Sequence, residues 1–195
     1  MELLVAIFLG ACLAAASGFR AFLPLFCVGI MYRLHSEHGV PLGPFLPATS
    51  GAPWVASDAA ILCFGVATVF EVLADKVPGF DHTLDAFLAF VRPAAGAVSV
   101  FSFLHGQQPV VAYSVAIIVG VGASLPIQAL KAGGRAAANS LTLGAAAPIV
   151  SLLEDFGAVT LIFLVLVPIV AIFSACICML ILFWLRKRKR LNAPP

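Results

Sequence analysis

The sequence predicts an all-α fold: one polytopic transmembrane bundle of about six helical spans. Three observations predict it. Hydrophobic residues make up 62% of the 195 and charged residues only 10%, whereas a water-soluble domain carries roughly 25% charge to keep its surface wet. Mean hydropathy is +1.10, and several apolar runs reach the roughly 20 residues that cross a bilayer. Finally, ionisable residues stand inside those runs, where charge is costly and marks a bundle interior, a charge pair or a polar path. The 13 prolines and 16 glycines would damage soluble helices and are better tolerated in membrane ones.

The first apolar run, about Leu3 to Tyr32, is too long for one straight crossing. Ser17-Gly18, Arg20 and Pro24 interrupt it, so a broken or strongly tilted helix is expected. Glu2, with no Lys or Arg beside it, argues against a cleaved signal peptide and for a retained first span. Residues 33–55 read as a polar loop rich in Pro and Gly, with Trp54 at its edge. The second run, about Ala56 to Asp75, ends at the turn signal Lys76-Val77-Pro78-Gly79. The third, near Thr83 to Leu104, holds Arg92-Pro93, and the fourth covers about Pro109 to Leu130. Gly133-Gly134 is expected to break the chain before a short fifth run, 136–153. A sixth run, 159–185, has a kink expected at Pro168. A five-span alternative makes 136–155 re-entrant.

The block Arg186-Lys187-Arg188-Lys189-Arg190 follows the last run. By the positive-inside rule it is a cytoplasmic stop-transfer anchor, with anionic lipid head groups as the alternative partner. Six spans then place both termini in the cytoplasm of a bacterial inner membrane, and only Arg33 falls on the wrong side. The partner expected is the lipid bilayer, not nucleic acid, and a homo-oligomer is compatible with the sequence. Cys12, Cys27, Cys63, Cys176 and Cys178 lack metal-ligand spacing and read as packing residues.

Two stretches of the chain, about 1–105 and 109–186, carry matching segments in the same order. Leu9-Gly10-Ala11-Cys12-Leu13 matches Val121-Gly122-Ala123-Ser124-Leu125, and Gly18-Phe19-Arg20-Ala21 matches Gly133-Gly134-Arg135-Ala136. Glu71-Val72-Leu73-Ala74-Asp75 matches Ser151-Leu152-Leu153-Glu154-Asp155. Three spans per half would make an inverted repeat, a transporter plan with sites near the midplane; chance similarity between Ala/Gly/Leu-rich stretches is the alternative.

The ionisable residues gather in two regions. Glu71, Asp75, Lys76, Asp81, His82, Asp85 and Arg92 form one; Lys131, Arg135, Glu154 and Asp155 form the other. Glu71 and Asp75 share a helix face, as do Asp81 and Asp85, which suits a proton relay, a cation site or a pair neutralised by Lys76 and Arg92. Asp81 is a candidate helix N-cap, and Asp85 and Arg92, seven apart, are expected to meet only through a third group. Asp81, His82 and Asp85 are weak candidates for a hard divalent cation; no other cofactor is predicted. Arg20 stands mid-run, where its charge must find a carboxylate, a helix end or an anion. Arg135 is its counterpart, and the two suit an anion clamp, the alternative being structural pairs with Glu71 or Glu154. Glu154-Asp155 is expected to end a short helix, against the helix dipole. His35 and His38 are expected exposed in the polar loop. No catalytic signature is present.

Ser17-Gly18-Phe19-Arg20-Ala21-Phe22-Leu23-Pro24-Leu25, the block from Glu71 to His82, Arg92-Pro93-Ala94-Ala95-Gly96 and Ser151 to Asp155 resemble a bacterial membrane family catalogued as domain of unknown function 4126. The resemblance implies an inner-membrane location and adds no activity. The leading functional expectation is a transporter of a small anionic solute or lipid-linked phosphate. Arg20 and Arg135 would bind the anion, with Glu71, Asp75, Glu154 and Asp155 handling protons or counter-cations. A metal-assisted enzyme acting on a lipid phosphate and a subunit of a membrane complex are the alternatives.

Overall fold

The computed structural model describes residues 2–39, 51–75, 80–142 and 147–166, which are all-helical with no strands among them. The helices are α1 (Glu2–Phe19), α2 (Leu23–His38), α3 (Asp58–Ala74), α4 (Phe80–Phe101), α5 (Pro109–Thr142) and α6 (Ala147–Leu166), with a 3₁₀ turn at Pro53–Ala56. The stretch Leu84–Phe101 of α4 and the whole of α5 are long and apolar enough to cross a membrane, and α1 contains a shorter apolar helix.

The first apolar run is not one broken span but two helices of opposite sense. Arg20 N–H makes the last bond of α1, to Ala16 O, and Phe26 N–H makes an early bond of α2, to Phe22 O. Between them the chain reverses, and Tyr32 then lies against Ser102 and Phe103, near the level where Gly10 meets Val100. Pro24, at the start of α2, is the local cause: its ring presets the first helical turn, and its missing N–H costs nothing there. Gly39 closes α2 in the left-handed region at φ 64°, so 33–38 are helical rather than loop, and His35 and His38 stand in the last turn.

Contacts give the senses of the rest. Arg33 pairs with Asp58 where α3 begins, and Arg20 pairs with Asp75 where it ends. Gln128 reaches Ala89 O, while Phe101 stacks on Tyr113 4.9 Å away, so α4 and α5 form an antiparallel hairpin. Consecutive helices thus alternate between an Arg20 end and an Arg33 end of the bundle. α1, α4 and α5 pack centrally, α6 lies against α1, and the α2–α3 hairpin flanks them. Close approach of the central helices needs small residues: a methyl at Gly120 would sit 2.4 Å from Ala97 Cα, and one at Gly18 2.5 Å from Ser124 O. Leu9, Leu13, Val28, Val55, Phe103 and Val165 fill the apolar core.

Four further expectations change. Gly133-Gly134 does not break the chain; α5 runs 34 residues through it, with open space beside both glycines. Residues 136–142 therefore belong to α5 and 147–155 to α6, so there is no separate fifth run and no re-entrant 136–155 segment among the described residues. Glu154-Asp155 lies within α6, not at a helix end. The matched segments also fail as an inverted repeat. Such a repeat needs every matched pair to run in opposite senses, and α3 and α6 do. However, Gly18 meets Ser124 and Ile127, and Phe19 O accepts from Lys131, so α1 and α5 run in the same sense. Pro168, the basic block 186–190, Cys176 and Cys178 lie outside the described residues. Of the other cysteines, Cys12 and Cys27 are half-buried and Cys63 is exposed.

Candidate functional site

At the Arg20 end, nine ionisable side chains among the described residues, from both regions of the sequence, meet in one network. Arg20 stands at the α1–α2 reversal with no exposed surface, and each part of its guanidinium is engaged. Nη1 pairs with Asp75 and also faces Glu71 O at 3.4 Å; Nε donates to Asp155 Oδ1 at 2.6 Å, and Nη2 to Ser151 Oγ at 3.2 Å. Asp75, the C-cap of α3, is also held by Arg135 Nη2 at 2.9 Å, with Lys131 Nζ 3.7 Å away. Arg20, Arg135 and Lys131 therefore converge on one oxygen, Asp75 Oδ2.

Arg135 forks onto Glu154, with Nε to Oε1 at 2.7 Å and Nη2 to Oε2 at 2.6 Å, and its Nη1 reaches Asp85 Oδ2 at 3.0 Å. Lys131 Nζ lies 3.2 Å from Glu154 and 3.4 Å from Asp85, and donates to Phe19 O at 3.3 Å. Arg92 Nη2 meets Asp85 Oδ1 directly at 2.6 Å. No third group is needed, because helical side chains lean toward the N-terminus and Arg92 reaches back two turns along that lean. Glu71 is 1% exposed; its Oε1 accepts from Ala21 N–H at 3.2 Å and lies 3.8 Å from Arg92. It thereby supplies a partner to the chain just where α2 begins, a place with no side-chain cap of its own.

Burial is graded. Asp75 and Arg20 have fully buried side chains, Glu154 and Lys131 nearly so, and Arg135, Asp85 and Asp155 are 15%, 26% and 25% exposed. Exposure thus rises from Arg20 and Asp75 toward Arg135, Asp85 and Asp155. Glu71 Oε2 and Asp75 Oδ1 are buried without a hydrogen-bond partner among the described residues.

The structure thus joins Arg20, Glu71, Asp75, Asp85, Arg92, Lys131, Arg135, Glu154 and Asp155. Lys131 and Arg135 were expected at a short connection and instead project from the continuous α5. The structural pair expected between Arg135 and Glu154 is present, whereas Arg20 meets Glu71 only at its backbone oxygen. Lys76 and the side chains of Asp81 and His82 lie outside the described residues. Because α4 begins at Phe80, Asp81 falls inside its first turn and not at the cap. Among the described residues no group of three or more His, Cys, Asp or Glu is placed to hold a metal ion, and Asp85 is occupied by cations. The sequence reading missed Ser151, one turn before Asp155 on the same face of α6, a position the i,i+4 rule marks.

A family model described as a domain of unknown function, DUF4126, matches residues 7–188. The chain belongs to this family. The match covers every member of the network. No curated protein matches the chain, and no solved structure does.

Proposed function

We propose that the chain is a multi-pass inner-membrane transporter for a small anion, either free or as a lipid-linked phosphate. Asp75 holds the anion's place between Arg20 and Arg135. One observation carries the reading: two guanidiniums and an ammonium, from the α1–α2 reversal and from α5, are aimed at a single buried carboxylate oxygen. Planar, delocalised arginine forks match carboxylate and phosphate oxygens. Once Asp75 withdraws or takes a proton, three cations face one point, and an incoming anion restores their compensation.

The membrane reading rests on an inside-out distribution. Arg20, Glu71, Asp75, Arg92 and Lys131 are buried, while Leu62, Val66, Phe87, Phe90, Ile118 and Phe156 are among many large apolar side chains left exposed. Water would penalise so large an apolar exterior; a hydrocarbon solvent reverses the preference. Among the described residues Arg20, Arg92, Lys131 and Arg135 stand at one end of the bundle and Arg33 at the other. The Arg20 end therefore faces the cytoplasm by the positive-inside rule. Since α1 runs toward that end, Glu2 starts on the opposite face, the reverse of the sequence expectation for the N-terminus. Single-cysteine labelling of intact cells checks this: a probe at Gly39 should react with an impermeant reagent, and one at Gly133 only after lysis.

The transport test uses protein reconstituted in liposomes, with radiolabelled inorganic phosphate for uptake and a short-chain fluorescent phosphatidic acid for flipping. Arg20→Ala should abolish whichever flux the wild type supports, and Asp75→Asn should uncouple it from a pH gradient. Fluxes unchanged by both substitutions would sink the reading.

A further inference from the structure

Among the described residues the network carries five carboxylates, Glu71, Asp75, Asp85, Glu154 and Asp155, against four cations, Arg20, Arg92, Lys131 and Arg135. Distances single out the odd one. Asp75, Asp85, Glu154 and Asp155 each have a guanidinium nitrogen within 3.0 Å. Among the described residues Glu71 has only Arg92, 3.8 Å from Oε1, and its Oε2 has no hydrogen-bond partner. We propose that Glu71 is the proton carrier of this site: it holds a proton while the four closer carboxylates neutralise the four cations, and it releases that proton when an anion or a neighbouring carboxylate changes the balance.

The surroundings of Glu71 weigh both ways. The α2 N-terminus, through Ala21 N–H, favours the ionised form, and so does Arg92 from α4. Lys131 and Arg135 from α5 are taken up by Asp75, Asp85 and Glu154, and Arg20 by Asp75 and Asp155. Against these stands a side chain 1% exposed, on an end of α3 where Asp75 already supplies one negative charge. Desolvating a carboxylate with no close cation outweighs one helix terminus. The other oxygen of the same carboxyl group, Oε1, ties the α1–α2 reversal, which carries Arg20. Proton release thereby reaches the anion-facing arginine through a single residue, and the device turns the transport reading into proton-coupled anion movement.

The chain has four glutamates, Glu2, Glu37, Glu71 and Glu154, so selective labelling with side-chain carboxyl ¹³C glutamate gives a readable NMR spectrum in lipid nanodiscs. The resonance missing from Glu71→Gln is that of Glu71; glutamine keeps an oxygen for Ala21 N–H and so preserves the turn. If that variant does not fold, Glu2→Gln, Glu37→Gln and Glu154→Gln assign the other three and leave Glu71 by elimination. The expected result is a Glu71 signal at the neutral-acid position at pH 7, moving to the ionised position in Asp75→Asn, where one competing carboxylate has been removed. A Glu71 signal already at the ionised position in the wild type, or one that stays neutral in Asp75→Asn, overturns the proposal. The readout needs no transported substrate, so its failure and a failure of the transport reading are separate results.

Discussion

Arg20 and Arg33 present the same chemistry at opposite ends of the bundle, each an arginine between two carboxylates. Arg33 pairs with Glu37 and Asp58, with the three side chains 30%, 48% and 86% exposed. Arg20 pairs with Asp75 and Asp155 from no exposed surface at all. The partners also differ in reach: Glu37 is one turn along the same helix, whereas Asp75 and Asp155 come from α3 and α6. Water carries most of the electrostatic work around Arg33, so its pairs contribute little. Around Arg20 the protein must do all of it, and the pairs fix how several helices meet.

The comparison is broken most directly at Arg20. Arg20→Ala leaves Asp75 and Asp155 short of their closest cation and should cost about 3–5 kcal/mol, read from unfolding in nanodiscs. The double change Arg20→Met with Asp75→Leu should cost less than Arg20→Ala alone, because it removes a buried charge together with a partner. A smaller loss, about 1–3 kcal/mol, is expected from Gly120→Ala, since the new methyl meets backbone at Ala97 and pushes α4 from α5. Gly122→Ala on the same helix, with nothing within 4 Å of the added methyl, is its neutral control. Arg33→Ala comes last, at under about 1 kcal/mol, and whatever effect it has should fade as salt is raised. A loss at Arg33 equal to that at Arg20 would remove the distinction between the two ends.

The membership of the site was legible in the sequence because an apolar run leaves a charge few places to go. Arg20 and Arg92 stood out for that reason, whereas Lys131, Arg135, Glu154 and Asp155 were expected at a connection or a helix end. The path of the chain was less legible. A run of apolar residues looks the same whether it crosses once or folds back, and only Pro24 marked the start of a second helix. Gly133-Gly134 misled in the other direction: two glycines weaken a helix in water, yet here α5 passes through them with its ladder intact. The partnership of Arg92 with Asp85 was masked by counting turns without allowing for the lean of helical side chains. That Arg20 and Arg135 share one oxygen could not be read from the sequence, since it depends on α1 and α5 running in the same sense.

The position of Arg20 also has a bearing on how the protein is made. Its carboxylate partners lie 55 and 135 residues further along the chain. At about 5–20 residues per second, the ribosome is on the order of ten seconds past Arg20 before Asp155 exists. For the first part of that interval the α1–α2 turn carries its cation without either carboxylate, and once Asp75 has followed it has one of the two. The set of side chains around Arg20 is therefore complete only once α6, with Ser151 and Asp155, has been synthesised.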